Sequence, residues 1–423
     1  MVVRRGDHHT RAPRFHYAWI TAALGHLNVL SALGLARFGY TMILPAMKEG
    51  LRFTYAETGW LATGNFLGYM VGSPLAGVLA SRSSLRRLIL TSLLGLAVGL
   101  AATALVGGFP SAFVLRTLTG LASGIVYIPA MTLATVWFAP HRRGLGAGIQ
   151  TGGSGMGLVL SGLLIPATLE RFGPDGWRQA WLLLATLVAA VWVLMLGFLR
   201  DRPEDVGQHA YGATAASQRP FTGSPGWRVI YTSHRLWALG GIYACFGFSY
   251  VVYATFFAAY LVKEGGLSAE AAGSLWGLVG LLSLPSGLLF GVLADRIGKP
   301  SGLAIVFAVH TVSFATFALA RTLPAFILSA TLYGLTAWSI PAIVAAAVAD
   351  YAPAPLAAAG LGFLTILFGI GQAISPPIAG SLADWSQSFS ASFLLCSGVA
   401  LIGCVAALAL RRAERQVLGR AEA

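Results

Sequence analysis

The sequence predicts an all-α membrane protein with twelve transmembrane helices in two pseudo-symmetric six-helix bundles. Three observations predict it. First, of 423 residues 56% are hydrophobic and 10% charged, whereas a soluble domain carries about 25% charged residues. Second, uncharged apolar runs recur at about the 20 residues needed to cross a ~30 Å hydrocarbon layer. Third, the chain repeats itself. A shift of 214 brings Gly77-Val78-Leu79-Ala80-Ser81-Arg82 onto Gly291-Val292-Leu293-Ala294-Asp295-Arg296, Gly59 onto Gly273 and Gly120-Leu121 onto Gly334-Leu335. A shift of 216 brings Gly144, Gly146, Gly153 and Gly155 onto Gly360, Gly362, Gly369 and Gly371. In hydrocarbon every backbone N–H and C=O needs a partner inside the protein. The runs are continuous rather than alternating, which fits helices and not a β-barrel.

Taken in order, spans are expected over 17–47, 57–80, 86–107, 110–137, 143–169 and 178–199, then over 234–262, 270–294, 301–320, 323–348, 356–383 and 389–410. Most connections are short, as at Gly107-Gly108-Phe109-Pro110. The long one, 200–233, holds Pro203, Glu204, Asp205 and Gly207 followed by Ala, Ser, Gly, Pro and basic residues, the signature of a polar linker. The organisation is then an N-terminal tail 1–16, a bundle 17–199, a linker 200–233, a bundle 234–410 and a C-terminal tail 411–423.

The net charge is +13, and its placement matters more than its size. With non-membrane segments set alternately on the two sides, twenty of the 28 lysines and arginines share one side, Lys48, Arg52, Arg171, Arg178, Lys263 and Arg321 take the other, and Arg37 and Arg116 remain within spans. The positive-inside rule puts both termini in the cytoplasm, with anionic headgroups of the bilayer and not nucleic acid as partner of the charge. No cleavable signal peptide is expected, because the first sixteen residues are polar and the apolar run after them is too long for a signal segment. Cys245, Cys396 and Cys404 lie inside apolar runs and read as packing residues. No His/Asp/Glu metal cluster, nucleophile–base pair or Walker sequence is seen, so metal, cofactor, enzymatic and ATP-driven functions are not expected.

Gly291-Val292-Leu293-Ala294-Asp295-Arg296-Ile297-Gly298-Lys299 resembles the G-x-L-A-D-R-x-G-[RK] loop signature of the major facilitator superfamily. The position between the eighth and ninth helices, the linker and the repeat extend the resemblance over essentially the whole chain. Repeated halves around a central site are how many secondary transporters are built. The resemblance implies a conformational latch in which Asp295 pairs with a basic residue across the halves, aided by Gly291, Arg296, Gly298 and Lys299. The first-half copy, Gly77 to Arg82, has Ser81 where the signature has Asp, so the second copy is expected to carry most of the latch. Arg37-Phe38-Gly39-Tyr40-Thr41 with Leu44-Pro45 resembles the YbfB/YjiJ-like bacterial branch, which implies a bacterial inner membrane. A similarity to monocarboxylate and oxalate–formate carriers is also seen, though the basic residue those carriers have in helix eight is absent from 271–294. Glycines crowd the second, fifth, eighth and eleventh spans, the four that line the contact between halves in this superfamily.

An ionisable residue within a span is a candidate functional residue. At 3.6 residues per turn, the eleven residues from His26 to Arg37 leave a net rotation of about 20°, so His26, Leu33, Arg37 and Tyr40 are expected on one face. Arg116, Thr119, Ser123 and Tyr127 form a similar stripe. In this superfamily helices one, four, seven and ten line the cavity, so the resemblance implies that both arginines face it. A second reading stays open, in which each side chain snorkels to the outer surface. His26 reads either as a packing residue or as a proton-linked one. Tyr250 in the seventh helix, Tyr333 in the tenth and Gln372 in the eleventh complete the candidate set. Arginines without an acidic neighbour favour an anion, and guanidinium suits a carboxylate. The expectation is a secondary carrier of a small organic anion, working as a monomer by alternating access with a co-transported proton. A multidrug or metabolite exporter of the same fold is the alternative. The topology predicts that a cysteine replacing Glu204, with Cys245, Cys396 and Cys404 removed, is labelled by an impermeant maleimide in inside-out vesicles and not in intact cells.

Overall fold

The computed structural model describes residues 16–80, 82–213, 228–319, 321–353 and 356–422. Residues 1–15, Ser81 and the second part of the linker, 214–227, lie outside the described residues. Among those described the chain is helical, with one isolated bridge, Phe138 to Tyr211. Among the described residues nine stretches are long and apolar enough to cross a membrane, or ten when a bent pair is taken as one span.

The first half comprises α1 (Ala18–Leu51), α2 (Tyr55–Ala80), α3 (Leu85–Thr103), α4 (Phe109–Trp137), α5 (Arg143–Phe172) and α6 (Gly176–Phe198). The second comprises α7 (His234–Lys263), α8 (Ala269–Ser283 and Ser286–Ile297), α9 (Lys299–Leu319), α10 (Leu323–Thr336 and Ser339–Tyr351), α11 (Ala357–Ser386) and α12 (Ser390–Glu422). Local chemistry sets the starts. The hydroxyls of Ser84, Ser233 and Ser268 accept from the N–H three residues on and cap α3, α7 and α8, each cap worth about 1 kcal/mol. Pro110 and Pro324 occupy first-turn positions of α4 and α10, where no N–H is needed. Pro285 has no N–H to offer at the middle of α8, and the helix bends there by 44°.

One helix end differs from expectation. α12 runs on to Glu422, so the tail predicted from 411 continues as helix, its run of charged residues being good helix formers. The first part of the linker packs on the first half. Asp201 accepts from the Arg86 N–H at 2.7 Å, Gln208 accepts from the Tyr17 N–H at 2.9 Å, and Tyr211 packs against Trp19 and Phe138.

Glycine decides how the helices meet. α5 lies on α8, where a Cβ on Gly162 would strike the Gly273 carbonyl and one on Gly155 the Gly280 carbonyl. α2 lies on α11, with Gly59 against the Pro376 carbonyl and Gly380 against that of Tyr55. These two seams join the halves through the four helices that the family resemblance implied, and glycine permits it because backbones approach closely only where side chains are missing. Other glycines of the same helices serve packing within a half: Gly68 and Gly72 seat α2 on α4, and Gly153 seats α5 on the His26 carbonyl of α1. Toward the end of the molecule that carries the loop signature, glycines of the same four helices have room around them. Gly77, Gly144, Gly148, Gly291 and Gly362 have nothing within 4 Å of an added Cβ. The contrast predicts that Gly153→Ala costs about 1–3 kcal/mol by overpacking, seen as a lower melting temperature in detergent, while Gly148→Ala leaves it unchanged or raised.

Candidate functional site

The middle of α1, Leu30–Phe38, is π-helical. Its i→i+5 hydrogen bonding widens the turn and shifts the phase of every residue beyond it. This corrects the expectation of one shared polar face. His26 points to α5, its Nδ1 against the Ile149 carbonyl at 2.8 Å. Arg37 points to α2, its guanidinium 4.1 Å from the centre of the Tyr69 ring and 4.8 Å from that of Phe66. Tyr40 points toward α6 and α2, near Trp181 and with its hydroxyl donating to the Thr58 carbonyl at 2.9 Å.

Arg116 of α4 reaches the same place from the other side. Its Nη1 donates to the Ala36 carbonyl at 2.8 Å, and its guanidinium lies over the rings of Tyr40 at 4.6 Å and Trp181 at 5.4 Å. Asn65 of α2 locks α2 to α4, its Nδ2 donating to the Arg116 carbonyl at 3.2 Å and the Thr119 hydroxyl at 3.4 Å. Arg37, Tyr40, Asn65, Phe66 and Arg116 line one pocket with Val251, Ala254 and Thr255 of α7. Its volume open to water is only ≈ 10 Å³, about one water. The pocket is closed around its arginines.

Neither arginine snorkels: Arg37 is 8% exposed and Arg116 1%. Neither meets a carboxylate, since the ion pairs among the described residues are Arg178–Asp175, Lys299–Asp295 and Arg321–Glu264. Arg37 Nε and Nη2 and Arg116 Nε are buried without a hydrogen-bond partner. The energetics are one-sided. Taking a guanidinium out of water costs several kcal/mol, while a desolvated ring face returns about 2 kcal/mol and the Ala36 bond about 1.5–3 kcal/mol. Two buried positive charges with unmade donors are what an anion would complete.

From the second half, Tyr250 stacks on Phe246 at 4.7 Å and lies 6.3 Å from Trp338, which in turn meets Phe38 of α1. Gln372 of α11 donates from Nε2 to the Tyr250 hydroxyl, so the hydroxyl proton is left to donate elsewhere. Tyr127 lies beside Tyr69, ring centres 6.2 Å apart, on the rim of the same region. Tyr333 is elsewhere. It packs on Tyr253 and His310 inside the second half, because α10 breaks at Ala337-Trp338 and Trp338 takes the inward position. Asn65, Tyr69 and Trp181 were not singled out from the sequence. A neutral amide and two aromatics in apolar spans carry no charge signal, and only their distance from the arginines marks them.

The loop signature is compact. Asp295 pairs with Lys299 of its own turn, not with a basic residue across the halves, and Gly298 takes a left-handed φ of +92° between α8 and α9. Arg296 and Arg82 are exposed, and Gly77 and Gly291 stand clear of neighbours. In the first half Asp201 supplies a carboxylate at the start of α3. The opposite end is sealed by a carboxylate that was not predicted. Asp384 of α11 accepts from the N–H groups of Tyr55 at 3.0 Å and Ala56 at 2.8 Å, capping α2 across the halves. Tyr55 itself lies on Phe389 and under Lys48 and Lys263, and Thr63 donates to the Ala373 carbonyl.

Solved structures share this architecture. A bacterial homolog of the human lysosomal transporter Spinster, in an inward-facing and unoccupied conformation, superposes with a TM-score of 0.75 over 94% of this chain and 97% of that one at 14% identity. The nucleoside transporter NupG gives 0.71 over 92% and 98% at 15% identity. This likeness shows the fold, and the long apolar helices fit a multi-pass membrane protein of that architecture. Within that class, the chain belongs to the family described as uncharacterised MFS-type transporter YbfB, which it matches over residues 29–409. Among curated relatives it is 25% identical to the hexuronate transporter of Bacillus subtilis (strain 168), over 91% of this chain and 92% of that protein. It is 25% identical to monocarboxylate transporter 12 of Mus musculus, over 82% and 76%.

The Asp384 cap makes a direct prediction. Asp384→Ala removes about 1 kcal/mol from the sealed arrangement, a shift of about fivefold between sealed and parted populations, measurable as distance distributions between spin labels on α2 and α11.

Proposed function

We propose that this protein is a secondary active carrier of a small organic anion, a carboxylate, working by alternating access. The observation that carries the proposal is the pair of buried guanidiniums with unmade donors and no carboxylate in reach. The hexuronate and monocarboxylate transporters among its relatives support it. Arg37 and Arg116 bind the carboxylate, Tyr40, Tyr69 and Trp181 hold the guanidiniums in place, and Tyr250 and Gln372 bring the second half onto the same ligand.

The working arrangement in this proposal is twelve spans, with bundles 17–199 and 234–410 joined by the linker 200–233 and both termini in the cytoplasm of a bacterial inner membrane. The end sealed by Asp384 then faces outward, and the end that carries the loop signature faces the cytoplasm. The signature loop carries its Asp295–Lys299 pair on that side, and closing the side brings Asp295, Arg296 and Arg82 into reach of the opposite half. A bound anion favours closure because it alone satisfies donors from both halves, and only such differential binding can shift the equilibrium. His26 ties α1 to α5 through the Ile149 carbonyl. The coupling ion is a proton, and one chain is the transporting unit.

Uptake in right-side-out membrane vesicles tests the reading. Arg37→Ala and Arg116→Ala are each expected to lower carboxylate uptake by more than about tenfold, the equivalent of 1.4 kcal/mol. Unchanged uptake removes the anion reading, and drug resistance on overexpression without carboxylate binding favours an exporter. Collapse of the proton gradient is expected to abolish accumulation against a gradient while leaving equilibrative exchange.

A further inference from the structure

The pocket contains one group that an anion does not satisfy. Asn65 is 1% exposed, and its Nδ2 is committed to the Arg116 carbonyl and the Thr119 hydroxyl. A carbonyl oxygen can only accept, so turning the amide round would set two acceptors against each other. The orientation is therefore fixed, and Oδ1 is the free end. It is buried with no partner. Among the described residues lining the pocket it is the only buried side-chain oxygen without a hydrogen-bond partner, against three unmade donors on Arg37 and Arg116. A carboxylate fills the donors and offers nothing to the acceptor.

Resting on the anion reading of this pocket, we propose that Asn65 selects hydroxy acids: small carboxylates whose hydroxyl, close to the carboxylate, donates to Asn65 Oδ1 while the guanidiniums hold the carboxylate oxygens. The crowding of the pocket puts both contacts on one small ligand. An acid lacking the hydroxyl leaves Oδ1 buried and unmade, a loss large enough to separate the two acids by at least about tenfold. Asn65 then sets specificity, and Arg37 and Arg116 set affinity for charge.

The test uses the purified full chain and competition binding with acids matched in charge: tartrate against succinate, lactate against propionate, and glycolate against methoxyacetate, in which the oxygen remains but its proton is gone. The expected result is at least about tenfold tighter binding of the hydroxy acid in each pair, with methoxyacetate grouped with the deoxy acids. Asn65→Ala is expected to compress these ratios to within about threefold. Equal affinities within each pair, with binding of both lost in Arg37→Ala, overturn the role of Asn65 and leave the anion carrier standing. Ratios that persist undiminished in Asn65→Ala also overturn it. No binding of any acid overturns the anion reading and this inference with it. Because Asn65→Ala also loses the tie to α4, the wild-type methoxyacetate comparison decides the matter should the variant fail to fold.

Discussion

A guanidinium kept from water and from any carboxylate is the constraint on which the centre of this molecule depends. Arg37 and Arg116 are charged, buried and incompletely bonded, and the surrounding residues are those that tolerate such a group. Ring faces of Phe66, Tyr69, Tyr40 and Trp181 supply quadrupole attraction without neutralising it. A carboxylate in their place would quench the charge and abolish the need for a ligand. The π-helical stretch belongs to the same arrangement. It turns Arg37 toward α2 and leaves the Ala36 carbonyl for Arg116, so one local irregularity places both cations.

The seams show how such a site can be reached from two sides. Where Gly155, Gly162, Gly59 and Gly380 let backbone touch backbone, the halves are closed. At the closed end the packing of these seams is joined by a charged cap, Asp384 on the first turn of α2, worth about 1 kcal/mol. At the other end the signature residues satisfy themselves locally, Asp295 through Lys299. Each end of the molecule thus keeps a carboxylate next to a helix end or a base of its own.

The fold was legible to the extent that physics leaves few choices. Continuous apolar runs in a lipid solvent give helices, and turn residues such as Gly107-Gly108-Phe109-Pro110 mark where some of them begin. The glycine crowding, through the family resemblance, pointed to α2, α5, α8 and α11 as the contact between halves, though not to which helix meets which. The two arginines were legible because charge in a span is rare. What could not be read was phase. Periodicity assumes 3.6 residues per turn throughout, so the widened turn between Leu30 and Phe38 separated His26 from Arg37 without any mark in the sequence. The break at Ala337-Trp338 likewise turned Tyr333 into the core and brought Trp338 inward. Neutral partners such as Asn65 were invisible, since only a tertiary neighbour tells a locked amide from an ordinary one. Asp384 carried no sequence signal for its role, because the helix end it caps belongs to the other half.

The glycine seams have a consequence for how such a carrier diversifies. Positions where an added methyl strikes a backbone carbonyl cannot vary, because the obstacle has no rotamer to yield. Variation that leaves the moving chassis intact is confined to side chains facing the pocket, such as Asn65, Val251 and Thr255. New cargo can therefore be acquired by few substitutions on an otherwise frozen frame, and relatives far apart in sequence can keep one mechanical cycle while carrying different acids.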